Sequence, residues 1–160
     1  LFVDLARARP DTAFVMAGEG SARPAIEAEA LGNLTMLGQL DHAALLDTVR
    51  TAACVVVPSL WPEAFGLTAV EAMAAGCPLI STRWPGADEI IEDGFTGWLT
   101  PIDDPAAMAA RIAWVFDHPD AAAQTGLNAW RQCSTTFSAD AIGARMLDFY
   151  RDVLAARRQR

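Results

Sequence analysis

Short apolar runs closed off by turn residues alternate with stretches of helical spacing, and few folds are open to a chain with that rhythm. Residues 12–17, between Pro10 and Gly18, read as a buried strand, and residues 34–37, 53–57, 78–81 and 97–99 repeat the signal. Helical spacing fills the gaps at 21–31, from an N-cap at Asp41 to about Thr51, at about 67–75, and as a single turn at 87–91. Strands separated by crossover helices pair in parallel, so the expected class is α/β, a Rossmann-like parallel sheet with flanking helices. Residues 1–9 suit the closing half of a helix, so the chain is expected to begin inside an element. Beyond residue 100 the pattern is wholly helical. Asp104 and Pro105 supply an N-cap and a first-turn proline for residues 106–116, and Ser138 caps a last helix to about Ala156. Residues 1–160 therefore read as one domain with extra C-terminal helices.

Charge and composition narrow the partners. The 12 basic residues are all arginine and stand against 20 acidic ones, a net charge of −8 that argues against nucleic acid. With 52% hydrophobic and 20% charged residues, a chain of 160 can bury roughly 70% of its unfolded surface, and disorder is excluded. No apolar run reaches the roughly 18 residues that span a bilayer, and the first residues lack a basic, cleavable leader. The expectation is a soluble, cytoplasmic protein, at most peripheral to the inner membrane face. Cys54, Cys77 and Cys133 are far apart and form no Cys-x-x-Cys pair, so they read as small buried side chains and not as a zinc site or disulfides.

The densest stretch of chemistry is residues 58–78, PSLWPEAFGLTAVEAMAAGCP, directly after the most apolar strand. Gly66 precedes a helix start, where unpaired amides and the positive dipole end face the crevice beyond the sheet, a geometry suited to phosphate. Glu63 lies on the loop before that helix and Glu71 in its first turns. Two ionised carboxylates at that spacing are pure acceptors for vicinal diols, and a ligand with diols at both ends and phosphates between them is a sugar nucleotide. A structural reading stands beside this one. Thr68-x-x-Glu71 fits a capping box, and Glu63 beside Pro62 fits a solvated loop residue.

The same stretch, with two glutamates followed by Ala-Met-Ala-x-Gly-x-Pro, resembles the signature of retaining glycosyltransferases of family 4. The remaining landmarks run in the order of that family's donor-binding domain: Gly18-Glu19-Gly20, residues 34–38, residues 84–89 and residues 93–97. The resemblance covers nearly the whole chain and weakens after about Pro119. It implies the C-terminal half of a GT-B architecture, with the first strand and the N-terminal acceptor domain absent. It also implies that the full-length protein moves a hexose from a nucleotide diphosphate sugar, UDP- or GDP-linked, to a sugar, lipid or small metabolite, and needs no cofactor. Residue by residue, it implies that Glu63 is the catalytic carboxylate on the transferred sugar and that Glu71 binds the ribose. The amides of Phe65, Gly66, Leu67 and Thr68 would meet the sugar or diphosphate. Met36 and its neighbours would flank the base, and Gly18 and Gly20 would let a loop pass close to the nucleotide. The basic pair that usually grips the diphosphate is missing, so weakened donor affinity is expected of this chain, and turnover by it alone is not. No Asp-x-Asp occurs, so metal-independent donor binding is expected. The alternatives are a non-catalytic nucleotide-binding or docking module, and an epimerase or phosphorylase of the same fold.

Other features favour structural roles. Gly18-x-Gly20 lacks the third glycine of a dinucleotide fingerprint, Arg23 standing there. His42 and His118 read as exposed, with His118 capping a helix C-terminus. Trp61, Trp84 and Trp98 read as packing residues more than sugar platforms, and Arg23 and Arg83 as surface residues. Asp88 and Glu89 read as caps or as the border of the site. Gly94 and Gly97 read as turn residues with unusual backbone angles. Arg157-Arg158-Gln159-Arg160 reads as a solvated tail.

Overall fold

In a computed structural model, which describes residues 1–158, the α/β expectation holds. Five short strands, β1 (Phe14–Ala17), β2 (Leu34–Gly38), β3 (Val55–Val57), β4 (Leu79–Thr82) and β5 (Trp98–Thr100), all pair in parallel. Seven helices accompany them: α1 (Phe2–Ala8), α2 (Arg23–Ala28), α3 (His42–Thr51), α4 (Leu67–Ala74), α5 (Pro105–Asp117), α6 (Pro119–Thr136) and α7 (Ala139–Arg158). A 3₁₀ turn at Ala87–Glu89 replaces the expected helical turn. Asp41 accepts a bond from the Ala44 amide at 2.8 Å and Asp104 one from Ala107 at 2.9 Å, both N-caps as anticipated. Ser138 accepts from the Ala141 amide at 3.2 Å at the start of α7. Two arginines of the expected tail, Arg157 and Arg158, are helical, while Gln159 and Arg160 lie outside the described residues.

The single continuous sheet is corrected to two ladders, β1–β2 and β3–β4–β5. Packing still joins them. Val56, Ile80 and Trp98 turn to one face of the larger ladder and share a core with Phe14, Leu34, Leu5 and the α5 residues Met108, Ile112 and Val115. Val57, Leu79 and Leu99 turn to the opposite face and pack with Met73 of α4, Trp84, Ile91 and the α6 residues Ala129 and Cys133. Side chains alternate across a strand, so β4, buried at all four positions, requires cover on both faces, which α5 and α4 with α6 provide.

α6 reaches α4 closely because Gly126 faces the turn after α4. A β-carbon there would stand 2.2 Å from the carbonyl oxygen of Gly76. The last helix differs from the others: Met146, Leu147, Phe149, Tyr150, Val153 and Leu154 of α7 are all exposed.

Candidate functional site

The carboxyl ends of β3 and β4 open onto the loop that leads into α4. Gly66, the N-cap of α4, has φ 82° and ψ 49°, a left-handed conformation that a β-carbon disfavours. Space adds a second demand. The ideal β-carbon would lie 2.7 Å from Cζ2 of Trp84, whose indole is buried beneath the turn and also runs under Gly86. Trp84 is therefore the floor of this turn, and its Nε1 finds no protein acceptor.

The Gly66 carbonyl accepts from the amides of Ala69 and Val70 at 3.0 and 3.2 Å, which starts the helix. Among the described residues, no backbone carbonyl accepts from the amides of Phe65, Gly66, Leu67 or Thr68. Four donors at the positive end of a helix dipole thus remain for an anion. Phe65, Leu67 and Thr68 are exposed.

The capping-box reading of Glu71 fails. The helix begins one residue before Thr68, its N-cap is Gly66, and no side chain caps it. Glu71 instead leaves its carboxylate one-third exposed, with Oε1 3.7 Å from Nδ1 of the exposed His42 at the start of α3. Glu63 is half-buried and accepts a hydrogen bond from the hydroxyl of Ser59. That contact has no signature in the sequence, since both residues sit in an irregular loop. Neither carboxylate is spent on the backbone, and both keep acceptor capacity.

The cations near this end of the sheet are committed. Arg83 is paired with Asp88 and, at 2.6 Å, with Asp93, and Arg23 with Glu19 and, at 2.7 Å, with Glu27. Electrostatic attraction for a diphosphate is left mainly to the amides. Among the described residues, no three His, Cys, Asp or Glu side chains gather in a way that could hold a metal ion.

The remaining sites lie on β1, β2 and the loops after them. Gly18 has φ 122°, donates to the Gly38 carbonyl at 2.7 Å and would find open space around a β-carbon, as would Gly20. Met36 is half-buried in β2 and lines an open cleft of about 320 Å³ with Ile26, Leu31 and Thr35. Glu89 is exposed, and Asp88 serves the Arg83 pair.

Trp84 and Trp98 are core residues, at 2% and 4% exposure, whereas Trp61 stands out at 71%. Gly94 has the expected positive φ of 81°; Gly97 does not, and is instead pressed against Ile91 and the Leu79 carbonyl, each close to 3 Å from an added β-carbon. His118 is exposed and closes α5 through Nδ1, 3.0 Å from the Trp114 carbonyl oxygen. Burial pushes the Cys54 thiol up to about 11 and that of Cys77 to about 12, and it raises Cys133 as well. None is a thiolate near neutral pH.

Residues 1–132 match the family model described as Glycosyl transferases group 1. The glycogen synthase of Mycobacterium tuberculosis is 33% identical over 159 residues, which cover 96% of this chain and 37% of that protein. Sucrose-phosphate synthase from Thermosynechococcus elongatus superposes with a TM-score of 0.82 at 29% identity, covering 97% of this chain and 42% of the other. Anabaena Alr3699/HepE, solved in complex with UDP-glucose, gives 0.81 at 23% identity over 94% and 44% of the two chains. The chain thus spans about two fifths of the length of these relatives, with the fold of GT-B glycosyltransferases. It belongs to the group 1 glycosyl transferase family.

Proposed function

We propose that these residues form the nucleotide-sugar-binding half of a retaining glycosyltransferase of family 4, which moves a hexose from a nucleoside diphosphate to an acceptor. The observation that carries this reading is the run of four unpaired amides at residues 65–68, placed in the chain between two carboxylates that no backbone group uses. Glu71 takes the ribose hydroxyls, Glu63 those of the transferred sugar, and the amides the charge of the diphosphate. Met36 and its neighbours flank the base, and the loop at Gly18 and Gly20 passes beside the nucleotide. The UDP-glucose held by the Anabaena relative supports a donor of this class.

The chemistry asked of this half is stabilisation of a leaving group. As the glycosidic bond breaks, negative charge grows on the departing diphosphate while the sugar becomes oxocarbenium-like. Amides already fixed at a helix start meet that charge without reorganising. The acceptor attacks the same face of the sugar and is held by parts of the protein outside these residues.

Calorimetry of the chain against UDP, GDP and ADP, and against their glucose and mannose conjugates, tests the proposal. Glu71→Ala should weaken nucleotide binding at least about tenfold, the value of a charge-assisted hydrogen bond, with an unchanged melting temperature because no cap is lost. Unchanged nucleotide affinity in that variant, or no binding by the native chain, overturns the reading.

A further inference from the structure

We infer that Ser59 is a positioning residue for Glu63, and that the buried Thr82 in turn fixes Ser59. The inference rests on the donor-site reading of Glu63. Ser59 follows the end of β3 by two residues, and its hydroxyl donates to Oε1 of Glu63. Among the described residues nothing donates to Oε2, so one carboxylate oxygen is tied to the protein and the other is left for a ligand hydroxyl. Glu63 lies in a loop without helical or strand pairing. Without a partner such a side chain samples many rotamers in water, and ordering it on binding costs free energy.

Ser59 can hold the carboxylate only if its own backbone is held. Its carbonyl accepts from the hydroxyl of Thr82, a fully buried residue at the end of β4. The same hydroxyl lies 3.4 Å from the Val57 carbonyl oxygen, and the hydroxyl of the equally buried Ser81 lies 3.3 Å from that oxygen and 3.0 Å from the carbonyl oxygen of Thr82. Two hydroxyls in the sheet interior thus brace the last carbonyl of β3, and the brace continues through Ser59 to Glu63. Each member uses a neutral donor toward an acceptor, so the path is one of position and adds no charge near a diphosphate.

The measurement compares each nucleoside diphosphate that the native chain binds with its hexose conjugate, by calorimetry. Ser59→Ala should leave affinity for the diphosphate within about twofold and weaken the conjugate about tenfold, the worth of a hydrogen bond to a charged group. Ser59→Thr, which keeps the hydroxyl, should restore it, and Thr82→Val should shift the conjugate in the same direction as Ser59→Ala. Combining Ser59→Ala with Glu63→Ala should cost no more than Glu63→Ala alone, since one acts through the other. If Ser59→Ala matches the native chain while Glu63→Ala weakens the conjugate, the positioning role is overturned and the donor site stands. If Glu63→Ala also changes nothing, the donor-site assignment of Glu63 falls with it.

Discussion

The indole of Trp84 occupies the space that a β-carbon on Gly66 would need, with Cζ2 2.7 Å from that position. Gly66→Ala therefore meets two penalties, a left-handed backbone and a collision with a buried ring. A loss of about 2–4 kcal/mol is expected on these grounds, a fall of about 5–15 °C in melting temperature for a domain of this size. Trp84→Leu should relieve the collision and leave the backbone penalty. A double variant that recovers part of the loss in a thermal melt confirms the coupling; strictly additive losses refute it.

Gly126→Ala should also destabilise the chain, although alanine is the better helix former. The added methyl would lie 2.2 Å from the Gly76 carbonyl oxygen and force α6 away from α4. Overpacking of this kind costs about 1–3 kcal/mol. Leu127→Ala, on the exposed side of the same helix, is the control and should change the urea midpoint little.

Stability should fall at alkaline pH through two thiols, that of Cys77, which is buried, and that of Cys54, which is only half-buried instead of buried as expected. Cys54 and Cys77 ionise near 11 and 12 in the folded chain because burial penalises the thiolate, against an ordinary value of 9.0. The unfolded chain thus gives up these protons first. The contribution is whole below pH 9 and disappears as the pH rises from there toward 12. Urea titrations from pH 8 to 11 should show the decline, and Cys54→Ala with Cys77→Ala should flatten it. Labelling by a maleimide at pH 7 should be slow until the chain unfolds.

Donor binding should not need a divalent cation. On the proposed donor-site reading, the charge of a diphosphate is met at residues 65–68 by amides that no backbone carbonyl uses, and whose dipole needs no counter-ion. Calorimetric affinity should be equal in EDTA and in millimolar Mg²⁺ or Mn²⁺. A requirement for either ion would remove the amides from that role.

The motif at residues 58–78 and the caps at Asp41, Asp104 and Ser138 were legible because they are local: each needs only a spacing of a few residues. What escaped are relations between distant segments. The separation of β1–β2 from β3–β5 leaves no trace in hydropathy, since both ladders share one apolar core. Nothing in the local spacing marks Asn33, yet its Nδ2 reaches the carbonyl oxygens of Ala6, Arg9 and Thr12, each at 2.9 Å, and binds α1 to the start of β2. Gly97 read as a turn glycine because periodicity cannot tell a residue that must bend from one that must be small. At the site, the capping box was a local pattern that lost to a glycine two residues earlier, and the hold of Ser59 on Glu63 depends on Thr82, 23 residues away from Ser59.

Phe65, one of the four residues with an unpaired amide, meets Phe137 edge to face, ring centres 5.8 Å apart. Phe137 closes α6 and lies five positions past the last residue matched by the family model. A domain trimmed to that boundary would keep every residue of the motif and lose the aromatic buttress behind it.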